Sequence, residues 1–256
     1  MPQLKEIRPN LWIYELTAPP FVVRAVVVKG EKYVAVWDTL TLPGEAAPLA
    51  QVISGMPYYV VYSHGDWDHA WGTAGLDDGR LGVIGHVECL RRFGDDAPRT
   101  LQQMQMAELG KWDSVRLIPP NITFTSRLSL DLGGVTLELH HTPGHTVDSI
   151  VGWIPEWGVL LGGDAIETPL PVVNSARLLE GWLAALESWQ KLELLERSIA
   201  SHGSMAGRES LDQTVAYLRA LAGDRQFKLP QKLDSFYRET HQKNLIVVDG
   251  GLALHE

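Results

Sequence analysis

Residues 63–72 read SHGDWDHAWG, and within them His64, Asp66, Asp68 and His69 fall inside six positions. Each offers a nitrogen or oxygen lone pair, and packing alone rarely crowds four such side chains around one Gly65 and one Trp67. The chemistry open to such a set is the holding of a divalent cation. A cation held this way acidifies water and polarises a carbonyl or phosphoryl oxygen, so no serine or cysteine nucleophile is needed.

Three more places in the chain share the feature that introduces this cluster. An apolar strand pattern runs out into a glycine-rich or polar turn that carries a metal-type ligand: YVVYSHGDWDH, then LELHHTPGHT, VLLGGD and SIASHG. Between His69 and His145 lie 75 residues, between His145 and Asp164 lie 18, and between Asp164 and His202 lie 37. Loops at strand ends carry chemistry because the sheets behind them are rigid. Gly144, Gly163 and Gly203 stand beside the ligands, where they let the backbone turn sharply and approach closely.

The elements that position these junctions follow from the hydrophobic pattern. LWIYE, FVVRAVVV and YVAVWDT are strands, rich in branched and aromatic residues. Gly44 to Ser54 is helical, PYYVVYSH is a strand ending on His64, GVIG is a brief strand, and His86 to Phe93 is a short helix. The capping box at Thr100–Gln103 opens a helix that Gly110 stops. Strands return from Asn121 to Ile154, and GVLLGGD is a strand that stops at Asp164. Leu178, Trp182, Leu186 and Trp189 share a helix face with Ser175 as cap; a second helix begins near Ser210 and buries Leu211, Val215, Leu218 and Leu221. LIVVDGG near the end is a strand and turn. Strand groups and helix groups alternate in two rounds, so the expected class is α/β, two sheets packed together with helices outside. No linker separates independent domains: one domain over 1–256 is expected, with its core at about 11–221 and an extension at 222–256.

The order and spacing of the ligands resemble the metallo-β-lactamase superfamily, whose signature is His-x-His-x-Asp-His followed by a distant His, an Asp and a final His. The matching positions are His64, Asp66, Asp68, His69, His145, Asp164 and His202; six of the seven carry the family's residue, and the likeness runs from about Leu11 to Leu221. The resemblance implies an αβ/βα four-layer sandwich and, in most members, hydrolysis of esters, thioesters, lactams, lactones or phosphodiesters. It also implies two divalent metal ions, zinc first, with iron or manganese as alternatives. His64, residue 66 and His145 would hold one ion, Asp68, His69 and His202 the other, and Asp164 would bridge. PGHT, the Gly-Gly-Asp strand end and the Trp-rich helix after it are similar to the glyoxalase II-like branch. Cleavage of a small ester, thioester or lactone is therefore the expected reaction, with a metal-activated water attacking the acyl carbon and Asp68 receiving a proton.

Asp66 departs from that pattern. With three aspartates, two divalent ions and one hydroxide the site is neutral, whereas histidine at 66 would leave it one charge more positive. Carboxylate for imidazole weakens the Lewis acid and moves preference toward harder ions. Asp66 is then a ligand of a dinuclear site, a poor ligand that leaves one ion, or a group that orients a neighbour. The first is favoured, because flavodiiron proteins, a redox branch of the fold, resemble this loop with a glutamate there. Two rivals stay open: a diiron protein handling oxygen or nitric oxide, and a non-enzymatic protein that binds metal or ligand.

Other residues take blander roles. His140 and His141 lie in a strand and serve packing or the surface. His86 and Cys89 lack a second pair and do not make a structural zinc. His241 and His255 face solvent. Trp67 is assigned to substrate binding, as an apolar wall at the pocket mouth. Met104 and Met106 belong to an ordinary helix, with a lid or a contact between like copies as the alternative.

Bulk properties argue against nucleic acid and membrane as partners and leave a small-molecule substrate as the expected one. The formal charge is −9, from 31 acidic and 22 basic residues, and the longest basic run is Arg91-Arg92, so nucleic acid is not expected. MPQLKEIRPN lacks the apolar stretch of a signal, and FVVRAVVVKG is short and interrupted by Arg24; a cytoplasmic chain that does not enter a membrane is expected. A homo-oligomer is compatible with all of this.

Overall fold

A computed structural model describes residues 3–18, 21–76, 79–204, 207–224 and 227–250. The chain forms two compact units, one of Met1–Ala18 with Val23–Glu138, the other of Pro19–Val22 with Leu139–Glu256.

The first unit is built on a seven-stranded sheet in sequence order: β1 (Gln3–Arg8), β2 (Leu11–Ala18), β3 (Phe21–Lys29), β4 (Val34–Trp37), β5 (Tyr58–Val61), β6 (Arg80–His86) and β7 (Ile122–Phe124). β3 and β4 are antiparallel, while β4 to β7 run parallel. Parallel neighbours place their carboxyl ends on one edge, where α/β proteins bind ligands. Asp38 follows β4 and Ser63-His64 follows β5, so the sheet itself sets these residues side by side. Every residue of β4 is buried, as a central strand covered on both faces requires. Val27, Val36, Val60 and Tyr62 from the strands pack with Leu40, Leu49, Trp71 and Trp112 in one core.

Helices of this unit are short: α1 (Pro43–Ala46), α2 (Ala50–Ile53), α3 (Trp67–Ala70), α4 (Val87–Gly94) and α5 (Asp96–Ala107). α5 starts four residues before the expected capping box and ends at Ala107, with Glu108 as its C-cap. Thr100 is therefore inside the helix, where Arg92–Asp96 and Arg99–Asp95 pairs at i,i+4 spacing bind the first turn to the helix before it. Strand β8 (Arg127–Asp131) follows, and β9 (Thr136–His141) carries the chain from the first unit into the second.

The second sheet has the order β12-β11-β10-β9-β8, with β10 (Ile150–Ile154) antiparallel to β11 (Val159–Glu167) and β12 (Arg197–His202) parallel to β11. β11 does not stop at Asp164. Its register shifts around Gly163, which takes φ +51°, and the strand resumes through three more buried residues to Glu167. Helices α6 (Ala176–Gln190), α7 (Glu209–Arg219) and α8 (Ser235–Gly250) complete the unit. In α6 the buried residues are Leu179, Trp182 and Leu186, and Ser175 stands at the N-cap without a side-chain bond. Over residues 245–250 α8 replaces the strand and turn expected for LIVVDGG, whose Gly251 lies outside the described residues. Tyr237, Thr240, Asn244 and Val247 recur at helical spacing on its buried face, and that packing overrides the strand preference of the branched residues. Among the described residues no helix is long and apolar enough to cross a membrane.

Candidate metal centre

In the first unit the loop after β5 gathers four of the proposed ligands. His64 Nε2 lies 3.3 Å from Asp66 Oδ2, and His69 Nε2 lies 3.7 Å from Asp68 Oδ1. The His64 and His69 rings stand 4.2 Å apart, and these two side chains offer ligand atoms within 4.8 Å of one another. His64, Asp68 and His69 are buried, and Asp66 is half-buried.

What aims the two histidines is Asp38, which the sequence reading missed. Asp38 is fully buried and takes φ +60°, a left-handed conformation that aspartate tolerates better than most residues. Its Oδ1 accepts the Ser63 backbone N–H at 2.7 Å, and its Oδ2 accepts both the Ser63 hydroxyl at 2.8 Å and His69 Nδ1 at 2.9 Å. Since the Ser63 proton goes to Asp38, its Oγ accepts from His64 Nδ1 at 3.0 Å. Both imidazoles thus spend Nδ1 on the scaffold and turn the Nε2 lone pair outward. YVAVWDT offered the signal: it is a fifth apolar strand running out into a carboxylate.

Asp66 has a second partner that the sequence did not announce. Arg92 of α4 donates Nη2 to Asp66 Oδ1 at 2.6 Å and Nε to Asp96 Oδ2 at 3.0 Å. Arg91, its neighbour in the basic run, instead pairs with Glu88 at the surface.

In the second unit Asp164, on β11, stands between two histidines. Its Oδ2 is 3.7 Å from His145 Nε2 and its Oδ1 is 3.3 Å from His202 Nε2. His145 sits in the turn after β9, where Nδ1 donates to the Val172 carbonyl at 3.1 Å and Asn174 donates to the His145 carbonyl at 3.1 Å. His202 ends β12 and donates Nδ1 to the Val22 carbonyl at 2.7 Å. The next residue has to be glycine: Gly203 takes φ +78°, and a Cβ there would lie 1.8 Å from the Thr168 carbonyl oxygen.

Near these three lies Glu167, 2% exposed, a buried carboxyl that the sequence reading did not single out. Tyr237 of α8 donates to its Oε1 at 3.0 Å, and Oε2 has no hydrogen-bond partner among the described residues. Burial pushes its pKa up to about 7, with the Asp164 charge adding to the rise and His202 and His145 opposing it.

A divalent cation fits these donors. Four histidines present Nε2 with Nδ1 committed to an oxygen, and carboxylates stand beside each pair, a set of nitrogen and oxygen donors that suits zinc, iron or manganese. The first unit brings together His64, Asp66, Asp68 and His69, and the second brings together His145, Asp164 and His202.

The remaining residues of interest are placed as follows. Trp67 lies half-buried on α3 with its ring edge-on to Trp112, centroids 5.9 Å apart. His140 packs edge-on against Trp189, and His141 donates to the Val147 carbonyl. His86 caps α4 by accepting from the Glu88 N–H, and Cys89 is buried in the core beneath it. His241 is not simply solvated: its Nδ1 meets the Tyr217 hydroxyl at 2.9 Å, and burial lowers its pKa. His255 lies outside the described residues. Met104 packs on the first core, whereas Met106 is exposed.

Comparison with known proteins places the chain in a family. The family model for the metallo-beta-lactamase superfamily matches residues 18–203. A hydroxyacylglutathione hydrolase of Anaeromyxobacter dehalogenans (strain 2CP-C) is 31% identical over 127 residues, which cover 48% of this chain and 38% of that protein. The chain thus spans well under half the length of that curated relative. Among solved structures, a metallo-beta-lactamase from Pontibacter korlensis has a TM-score of 0.67 at 18% identity, covering 86% of this chain and 99% of that one. The stereoselective inverting sec-alkylsulfatase Pisa1 from Pseudomonas sp. has a TM-score of 0.73 at 17% identity, covering all of this chain and 51% of that one. The metallo-beta-lactamase FIM-1 from Pseudomonas aeruginosa, in its mono-zinc form, has a TM-score of 0.64 at 21% identity, covering 87% and 96%. At these identities the structural likeness establishes the α/β fold. With the family match extending over most of its length and the His/Asp donors at the motif positions, the chain belongs to the metallo-beta-lactamase superfamily.

Proposed function

We propose that this chain is a metal-dependent hydrolase of a small ester, thioester or lactone. On the family's pattern His64, Asp66 and His145 would hold one divalent ion, Asp68, His69 and His202 would hold a second, and Asp164 would lie between them as a shared ligand. Zinc is the first choice of metal, with iron or manganese as alternatives. The observation that carries the proposal is the commitment of Nδ1 in all four histidines to a serine, a carboxylate or a backbone carbonyl, which leaves each Nε2 as a ligand atom. Such ions, when bound, acidify a water and stabilise charge on the acyl oxygen.

The protein's own groups supply the rest. Asp38 and the two backbone carbonyls fix the rings, so little reorganisation accompanies reaction. Asp68 would accept a proton during hydrolysis, and Trp67 would offer an apolar wall to the substrate. Support for acyl chemistry comes from the hydroxyacylglutathione hydrolase relative, within the share of its length that is matched. A cytoplasmic setting goes with that reading.

The test is turnover by metal-loaded protein of a panel containing a hydroxyacyl-glutathione thioester, an aryl ester, a lactone and a phosphodiester. Turnover confined to acyl substrates is expected. Metal uptake without turnover of any of them would favour a binding protein. A visible absorption band after aerobic iron loading, again without turnover, would favour diiron chemistry at the carboxylate-bearing site.

A further inference from the structure

We propose that Asp66 and Arg92 act as one unit, so that the pair, and not the aspartate alone, stands where the family's motif has a histidine. The inference rests on the metal-centre reading above and assigns Arg92 a positioning role within it.

Three observations lead there. Arg92 occupies Asp66 Oδ1 at 2.6 Å, while Asp66 Oδ2 stands 3.3 Å from His64 Nε2. One carboxylate oxygen is thereby assigned to the cation of α4, and the other is presented beside the histidine as a single donor. Asp66 is also the N-cap residue of α3, a position where an aspartate ordinarily accepts a backbone N–H of the first turn, yet its side chain makes no such cap bond. It is turned to Arg92 and His64 instead. Finally, Arg92 is itself held, since Asp96 takes its Nε at 3.0 Å and only 14% of the Arg92 side chain is exposed. A guanidinium fixed between two carboxylates fixes the orientation of both.

The charge consequence is direct. Replacing a neutral imidazole by a carboxylate adds one negative charge beside the metals, and Arg92, which Asp96 shares, returns part of a positive charge at hydrogen-bond distance. At such range in a half-buried site this offset is large on the scale of binding energies. The carboxylate can then serve as a ligand with less loss of Lewis acidity at the centre. Arg92 and Asp66 should therefore be exchangeable only together.

One single and two double variants of the full chain test this, read as affinity for zinc and for manganese by competition with a chromophoric chelator. Asp66→His removes one of the two carboxylates that hold Arg92 and leaves part of its charge facing the site, so metal affinity should fall by about tenfold or more. Adding Arg92→Met to that variant should recover most of the loss, which a merely structural arginine would not do. Adding Arg92→Lys instead keeps the charge and should recover little. Melting temperatures of the four proteins separate a folding defect from a site effect. An Asp66→His protein that binds as tightly as the parent would overturn the pairing, as would a double variant no better than the single one. A parent that takes up neither metal would overturn the metal-centre reading itself.

Discussion

Asp38 Oδ2 accepts the Nδ1 proton of His69 at 2.9 Å, and neither side chain has any exposed surface. The same carboxylate takes the backbone N–H and the hydroxyl of Ser63, so the end of β4 and the loop after β5 are locked through one residue. Loss of such an outer hydrogen bond typically weakens a metal site by ten- to hundredfold. Asp38→Asn is expected to lower metal affinity by about that factor, measured by chelator competition. Unchanged affinity would mean that the His69 ring is oriented by packing alone.

Glu167 gives a pH dependence to the metal-free fold. In the unfolded chain it releases its proton near 4.5, whereas in the folded state it keeps it up to about 7. Between those values the unfolded state binds fewer protons, so stability falls as pH rises through the window, and the loss is complete above it. Glu167→Gln removes this contribution. Urea unfolding of chelator-treated protein should show the parent losing more stability than the variant between the two ends of that window, by about 3 kcal/mol at most. Equal losses in parent and variant would contradict the account.

The turn before His145 is shaped by Trp182 of α6. A Cβ on Gly144 would lie 2.2 Å from the indole, and Trp182 cannot yield because it is fully buried and donates Nε1 to the Ala165 carbonyl at 3.0 Å. Gly144→Ala should cost about 1–3 kcal/mol of stability and weaken metal binding through His145. Gly181, one residue before the same tryptophan, is exposed and has nothing within 4 Å of an added Cβ. Gly181→Ala should therefore stabilise α6 by about 0.5–1 kcal/mol. Denaturant midpoints for the two variants check both signs.

How far the molecule could be read from its sequence depended on the range of the interactions involved. β2, β3 and β4 were legible because branched and aromatic residues cluster between Pro-Pro and Lys-Gly breaks. The ligand-bearing loops were legible because each carries its donors within a few residues of a strand end. Asp38 bonds His69 from 31 positions away and Arg92 reaches Asp66 from 26, and nothing local marks either pair. Tyr237 meets Glu167 across 70 positions, through a helix that local preference reads as a strand. Of Arg91 and Arg92, only the rotation of α4 decides which turns toward Asp66.

The most direct test is elemental analysis and calorimetric metal titration of the parent beside His69→Ala, from the first unit, and His145→Ala, from the second. About two equivalents are expected for the parent, with a clear loss of bound metal and of acyl hydrolysis in both variants. Full metal content in His145→Ala, with the same affinity as the parent, would contradict the assignment of His145 as a metal ligand.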